Sequence, residues 1–192
     1  RIPAMRRPWL AMSRSGEGPL ASLFLCIIAL TAASAWTLMV MQHPGPLLID
    51  LQAQRLFSWL ATPWLTDASL LLAEVGDKAG IITLVAPWAL WLLLVKRIDL
   101  LAHGALALGG IGALNTLGKA VFARARPDTP DYLVGSFSYP SAHTSTWVVV
   151  VGITAAFVAS QMPRQRRMWV YWLAIAITIP MALSRLIIGV HW

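Results

Sequence analysis

Residues 144–183 read TSTWVVVVGITAAFVASQM PRQRR MWVYWLAIAITIPMAL and hold two long apolar runs joined by a short basic connection. Neither run, Thr144–Met162 or Met168–Leu183, contains a charged side chain. A helix of about 20 apolar residues crosses a hydrocarbon core of about 30 Å. The stretch therefore predicts two spanning helices that meet at one membrane face.

The composition of the whole chain agrees with this interpretation. Of its 192 residues 58% are hydrophobic and only 12% are charged, whereas soluble domains carry about 25% charged residues. The net charge of +7 does not indicate nucleic-acid binding, because the basic residues lie between the apolar runs and form no patch with interleaved aromatics. The composition is that of an integral membrane protein.

Three further apolar runs precede this pair, namely Leu20–Met41, Gly80–Val95 and Leu100–Leu117. The segment Asp50–Glu74 mixes charges with apolar residues, and we interpret it as interfacial or re-entrant. The predicted fold is all-α: a polytopic transmembrane helical bundle of five spans that forms one membrane-embedded domain over residues 1–192. Because the chain begins with Arg1 and stops at Trp192, we expect it to be a fragment in which a sixth span is truncated.

Basic residues indicate the orientation of this bundle. They cluster before the first run and at two connections that the spans place on the same side: Arg1, Arg6, Arg7, Arg14, Lys96, Arg97, Arg164, Arg166 and Arg167. The positive-inside rule makes that side cytoplasmic. We expect a bacterial inner membrane protein whose opposite face looks into the periplasm.

Three segments fall at the outer ends of the predicted spans, and all of them carry polar or basic residues. They are Lys119 to Pro127 (KAVFARARP), Tyr139 to His143 (YPSAH) and Ser184 to His191 (SRLIIGVH). So many cations without compensating carboxylates repel one another unless an anion lies among them. Phosphate suits the set, since arginine offers it a planar fork and lysine a point charge.

The second segment adds two kinds of group to this site. Ser141 precedes an apolar run, so free backbone N–H groups of a helix start point at any anion bound there. Of the two histidines, one neutral imidazole can attack phosphorus while the other, protonated, donates to the leaving alkoxide. Such chemistry needs no metal and no cofactor.

The three segments resemble the Lys-x6-Arg-Pro, Pro-Ser-Gly-His and Ser-Arg-x5-His-x3-Asp signature of type 2 phosphatidic acid phosphatases, in both order and spacing. The resemblance covers Lys119 to His191. It implies a nucleophilic His191 that forms a phosphohistidine, and a His143 that protonates the leaving group and later activates water. It also implies a phosphate-binding set of Lys119, Arg126, Ser141, Ala142 and Arg185.

Two departures from that signature bear on activity. Ala142 stands where the family usually has glycine, and its methyl would cost on the order of 1 kcal/mol if the position required positive φ. The family's aspartate, which orients the nucleophilic histidine, would stand four residues after His191, beyond Trp192. We expect its absence to impair the chain severely, because losing that role in serine-protease triads costs roughly 10⁴-fold in rate.

The remaining titratable residues receive simpler interpretations. His43 and His103 lie outside the motifs and are expected to be interfacial, and Cys26 is expected to be a small buried hydrophobe. Arg124 occupies no signature position and is expected to be solvated. Asp128 and Asp131 lack further ligands at matching spacing, so we predict no metal site.

The resemblance implies hydrolysis of a membrane lipid phosphate, with phosphatidate and undecaprenyl pyrophosphate both admissible. Alternatives are a lipid phosphotransferase, in which the phosphohistidine passes its phosphate to another acceptor, and a catalytically silent lipid-phosphate binder. A vanadium-type haloperoxidase has a similar site, but those enzymes are soluble and this chain carries several spans. The partners expected are therefore a lipid phosphate and the bilayer, with no nucleic acid.

Overall fold

A computed structural model describes residues 18–43, 45–127 and 137–192 of the chain. Several residues discussed above lie outside these ranges: Arg1, Arg6, Arg7, Arg14, Asp128 and Asp131, together with the side chain of Cys26. Every regular element in the described ranges is an α-helix. The prediction of an all-helical membrane fold is confirmed.

Seven helices follow one another along the described chain. They are α1 (Gly18–Gln42), α2 (Leu48–Leu60), α3 (Pro63–Gly76), α4 (Lys78–Leu94), α5 (Ile98–Phe122), α6 (Ala142–Gln161) and α7 (Arg164–Ile187). Pro63 begins α3 at the position where a missing N–H costs nothing. α5 continues through Lys119 to Phe122, because the first proline after it is Pro127. Lys119 therefore lies in the last turn of a helix that extends beyond the predicted apolar run Leu100–Leu117.

Three of the helices are long and apolar enough to cross a membrane, namely α5, α6 and α7. A fourth crossing requires α3 and α4 together, which are bent by 56° at Asp77. α1 contributes a shorter apolar stretch, Ile27–Gln42. The predicted count of five spans is thus not confirmed. α4, which covers most of the predicted span Gly80–Val95, has 17 residues and follows directly on the bend at Asp77.

The apolar faces of these helices point outward. Only 6%, 11% and 17% of the apolar windows of α5, α6 and α7 are buried within the protein. A soluble protein of this size does not expose so much contiguous apolar surface. Surrounding lipid explains the pattern, since hydrocarbon is as good a solvent for leucine as a protein core is.

α7 is the central helix of the bundle, packing most extensively on α6 and also against α3 and α2. The rings of Trp88 on α4 and Phe157 on α6 meet edge to face at 5.7 Å. Successive long helices run in opposite directions, so the end of α5, the start of α6 and the end of α7 lie at one end of the bundle. Arg97 and Arg164 start helices at the other end.

Two glycines permit the close packing that forms this end of the bundle. A Cβ at Gly76 would lie 2.8 Å from Met181 Cε and 3.3 Å from His143 Cδ2, so the end of α3 touches both α7 and α6. A Cβ at Gly118 would lie 2.8 Å from Pro140 Cδ. The Gly118 contact holds the segment before α6 against the last turn of α5.

Gly118→Ala tests this contact. The new methyl meets a rigid proline ring, and overpacking of this kind costs about 1–3 kcal/mol, so we expect a lower unfolding temperature in detergent. Gly110→Ala on the same helix is the matched control. A Cβ at Gly110 meets no atom within 4 Å, so the higher helix propensity of alanine should leave stability equal or slightly raised. Equal effects of the two changes would contradict the packing argument.

Candidate active site

The predicted site residues come together because three helix ends share one face of the bundle. Lys119 lies in the last turn of α5, Ala142 and His143 begin α6, and Arg185 lies in the last turn of α7. Arg126 follows α5, Ser141 directly precedes α6, and His191 follows α7. The start of α6 provides unpaired backbone N–H groups, and the chain changes direction at each of the three helix ends, which allows several side chains to converge.

His191 is held in a single tautomer. Its Nδ1 lies 2.6 Å from the carbonyl oxygen of Ser138, and both residues are buried. A carbonyl oxygen can only accept a hydrogen bond, so Nδ1 carries the proton. In the neutral ring Nε2 is then unprotonated, and its lone pair is available to a substrate.

Two donors face that lone pair. Arg126 Nη1 and Ser141 Oγ each lie 3.4 Å from His191 Nε2, which is long for a hydrogen bond. Arg126 Nη1 also donates to the carbonyl of Val190 at 2.6 Å, which ties the guanidinium to the segment carrying His191. The arrangement leaves both donors able to turn toward an anion bound next to Nε2.

The electrostatics of the site keep His191 neutral. Burial, followed by the positive charges of Arg126 and Arg185, lowers the pKa of the His191 imidazole to about 3, from an ordinary value of about 6.5. The hydrogen bond to Ser138 acts in the opposite direction but is outweighed. At neutral pH the His191 imidazole is therefore uncharged.

His143 lies in the first turn of α6, against Gly76 of α3. Its ring interacts electrostatically with the positive charges of Arg185, Arg126 and Lys119. So does the carboxylate of Asp77, which is exposed at the junction of α3 and α4 and which the sequence analysis did not single out. Asp77 places a negative charge beside His143 in a site otherwise rich in cations.

A hydrogen-bonded row fixes the start of α6 against α5. Ser145 Oγ donates to Asn115 Oδ1 at 2.9 Å, and Asn115 is buried one turn before Lys119 on the same face of α5. The Lys119 ammonium donates to the carbonyl of Phe137. Ser141 Oγ lies 3.2 Å from Thr144 Oγ1. Asn115 was not predicted, since one asparagine in an apolar helix carries no pattern of its own.

The concern about Ala142 does not apply to this backbone. Ala142 is the first residue of α6, and among the described non-glycine residues positive φ occurs at Lys96 (56°) and Ala123 (43°). The methyl therefore carries no left-handed strain. The backbone N–H that a phosphate would use is the same as in glycine.

The expectation for Arg124 is wrong. Arg124 is 5% exposed and forms an ion pair with Asp50, which is 4% exposed. Burial makes a solvated side chain impossible there, and the ion pair compensates for the lost hydration. Asp50 lies in the segment interpreted as interfacial or re-entrant, and residue spacing does not indicate an ion pair between it and Arg124.

The interfacial positions predicted for His43 and His103 stay a prediction. His43 Nδ1 lies 3.0 Å from the carbonyl of Met39 and His103 Nδ1 lies 2.6 Å from that of Asp99, both exposed and both within their own helices. Among residues 18–43, 45–127 and 137–192 no group of three histidine, cysteine or acidic side chains is placed to hold a metal ion. The prediction of metal-free chemistry stays a prediction.

Comparisons with known proteins bear on the family and the fold. Residues 100–192 match the model of the PAP2 superfamily, and this range contains every predicted site residue. The structure resembles that of a transmembrane PAP2-type phosphatidylglycerolphosphate phosphatase from Bacillus subtilis, with a TM-score of 0.69 and 21% identity over 84% of this chain and 83% of that one. No curated protein matches the chain significantly.

The protonation state of His191 can be measured directly. In protein labelled with ¹⁵N-histidine, we expect the His191 ring, assigned by its loss in His191→Ala, to be neutral and protonated on Nδ1 between pH 5 and 8. Arg126→Gln removes a charge that disfavours the imidazolium, so the His191 pKa should rise. Arg97→Gln, at the opposite end of the bundle, should leave it unchanged. An imidazolium at pH 7 in the unsubstituted protein would contradict the assignment.

Ala142→Gly tests the second departure from the family signature. Because Ala142 has a helical backbone, glycine should relieve no strain and should cost about 0.5–1 kcal/mol of stability. We expect turnover within about twofold of that of the unsubstituted chain, since a larger gain would require more than about 0.4 kcal/mol of relieved strain in the transition state. A tenfold gain would show that the methyl obstructs the site.

Proposed function

We propose that this chain, whose residues 100–192 match the PAP2 superfamily model, hydrolyses a lipid phosphate monoester or pyrophosphate through a phosphohistidine, without a metal ion. The observation that carries the proposal is the unprotonated Nε2 of His191, which faces Arg126 and Ser141 at 3.4 Å within a cluster of cations. A neutral nucleophile and an anion-binding pocket are what phosphoryl transfer needs.

In the first step Nε2 of His191 attacks phosphorus, forming an N–P bond as the bond from phosphorus to the leaving oxygen breaks. His143 gives its proton to that oxygen, so the lipid leaves as a neutral alcohol, or as a lipid monophosphate when the substrate is a pyrophosphate. Lys119, Arg126 and Arg185 neutralise the charge on the phosphoryl oxygens. The Ser138 carbonyl stabilises the positive charge that develops on the His191 ring.

In the second step water attacks the phosphohistidine and loses its proton to His143. The N–P bond breaks, inorganic phosphate leaves, and both histidines return to their starting states. Ser141 Oγ and the backbone N–H groups at the start of α6 are available as further donors to the phosphoryl oxygens. An aspartate is not needed to select the tautomer in this scheme, since the Ser138 carbonyl already does so.

A lipid substrate follows from where the site lies. The cations are at the ends of α5 and α7, two apolar helices whose side chains face lipid, so a headgroup can bind them while its acyl or prenyl chains stay in hydrocarbon. Phosphatidate and undecaprenyl pyrophosphate fit this geometry. Phosphatidylglycerolphosphate is a third candidate substrate, because the protein of similar fold is a phosphatase for that lipid.

The orientation is part of the same proposal. Arg97, Arg164, Arg166 and Arg167 lie at the end of the bundle opposite the site, and the positive-inside rule makes that end cytoplasmic. The substrate would then be cleaved on the outer side of a bacterial inner membrane. A cysteine introduced beside the site at position 125, in place of the exposed Ala125, should react with a membrane-impermeant maleimide from outside intact spheroplasts, after Cys26 is changed to alanine.

One contact favours a second nucleophile. Ser141 Oγ, His191 Nε2 and the Ser138 carbonyl form the nucleophile, base and orienting group of a serine hydrolase, although the first distance is long at 3.4 Å. The covalent intermediate distinguishes the two. A phosphohistidine is lost in acid, whereas a phosphoserine survives it.

Single substitutions test the assignment of the nucleophile. In detergent with EDTA present, we expect His191→Ala to lower phosphate release by roughly 10³-fold or more. Ser141→Ala should cost about 10²-fold, as for one lost donor to a developing anion. His103→Ala is the matched control and should have no effect. A more damaging Ser141→Ala, with an acid-stable intermediate, would reject His191 as the nucleophile.

The substrate panel decides between hydrolysis and its alternatives. Release of phosphate from one of the three lipids supports the proposal, while transfer to an added acceptor alcohol would identify a phosphotransferase. No release, with vanadate still bound to the folded protein, would indicate a silent lipid-phosphate binder. Activity that requires a divalent metal would overturn the mechanism.

A further inference from the structure

We propose that the buried ion pair of Asp50 and Arg124 is a positioning device for His191, an inference that rests on the catalytic role proposed for that histidine. Neither residue belongs to the three motifs, and the pair joins α2 to the segment that follows α5. It acts through the backbone of residues 124–125 and through Trp192.

Arg124 is not one of the residues that neutralise the substrate. Its guanidinium is buried at 5% exposure and its charge is matched by the Asp50 carboxylate. Asp50 is fixed as well, because it lies in the first turn of α2 and accepts the N–H of Leu47 at 2.7 Å. A guanidinium whose charge is matched in this way contributes little field to a phosphate, so its role must be sought in what it holds.

The first connection to His191 runs through Ser138. The Arg124 carbonyl accepts the backbone N–H of Ser138 at 2.8 Å, and the Ser138 hydroxyl donates to the carbonyls of Arg124 and Ala125 at 3.2 and 2.8 Å. The Ser138 carbonyl, held by these bonds, accepts Nδ1–H of His191 at 2.6 Å. The position of the Arg124 backbone thus determines where the acceptor for His191 lies.

The second connection reaches the residue next to His191. The Arg124 guanidinium lies 5.9 Å from the centre of the Trp192 ring, within the range of a cation–π contact. Trp192 Nε1 donates to the Ala125 carbonyl at 2.8 Å. The same short segment is therefore connected to His191 twice, through the Ser138 carbonyl at the ring and through the neighbouring residue Trp192.

A buried ion pair is weak support for stability alone, because apolar residues of similar volume are often as stable. It is better suited to fixing one geometry, because a movement of either side chain would leave a buried charge without its partner. Here that geometry is the direction of the Arg124 and Ala125 carbonyls. Loss of the pair should misplace the Ser138 acceptor and release His191 from its single tautomer.

The test compares Asp50→Asn and Arg124→Gln with Asp99→Asn and Arg97→Gln. The control pair is an exposed ion pair, with Arg97 Nε 2.9 Å from Asp99 Oδ1 and an Asp99 side chain that is 46% exposed. The readouts are the ¹⁵N signals of His191 and the separate values of kcat and KM. Asp50→Asn is near-isosteric and can still accept the Leu47 N–H, so it decides the question should Arg124→Gln fail to fold.

We expect Asp50→Asn and Arg124→Gln to give a mixture of His191 tautomers and a kcat lower by about 10–100-fold, as for other residues that orient a functional histidine. KM should stay within about threefold, because no substrate contact is lost. The double variant should be no worse than the more damaging single one, Arg124→Lys should recover part of kcat, and the control variants should change neither readout.

An unchanged His191 tautomer in folded Asp50→Asn would overturn the positioning role, as would a rise in KM with kcat intact. The tautomer measurement needs no substrate. If the unsubstituted chain turned over none of the lipids, the proposed function would fail while the ¹⁵N signals still decided this inference. If turnover were present and the signals did not move, the inference alone would fail.

Discussion

Repulsion between Lys119, Arg126 and Arg185 is the constraint on which the site depends. The fold brings these cations to one face, with the exposed carboxylate of Asp77 in range of His143. Such a cluster is stable only when anions occupy it or when its members are anchored to carbonyls, as Lys119 is to Phe137 and Arg126 to Val190. The anchors hold the charges apart without neutralising them, which suits the proposed binding of a phosphoryl group.

The same field acts on both histidines. His191 is buried among the cations and stays neutral, with its proton fixed on Nδ1 by the Ser138 carbonyl. His143 stands at a helix start within reach of the Asp77 carboxylate. The Asp77 carboxylate acts on His143 and not on His191, so the surroundings of the two rings differ in this one charge.

Lipid accounts for much of what would be unusual in a soluble protein. The side chains of α5, α6 and α7 are largely exposed, and specific contacts are concentrated where helices meet closely, as at Gly76 and Gly118. Within a bilayer the hydrophobic effect contributes little to helix association. Close packing and polar contacts, such as that of Ser145 with Asn115, must therefore hold the bundle together. These contacts lie at the end that carries the site, which makes that end the best-defined part of the fold.

The sequence by itself determined the membrane class, the helical fold and the three segments that supply the site. Apolar run length and motif spacing are local properties, so they can be read without knowing which residues are in contact. The sequence failed where distant residues meet. Gly80–Val95 proved to be half of a bent pair, since bending depends on neighbouring helices, and Arg124 proved to be buried against Asp50, 74 positions away. Only the tertiary structure placed the Ser138 carbonyl beside His191 and Asp77 near His143, because a backbone acceptor and an isolated carboxylate have no signature that a sequence pattern can show.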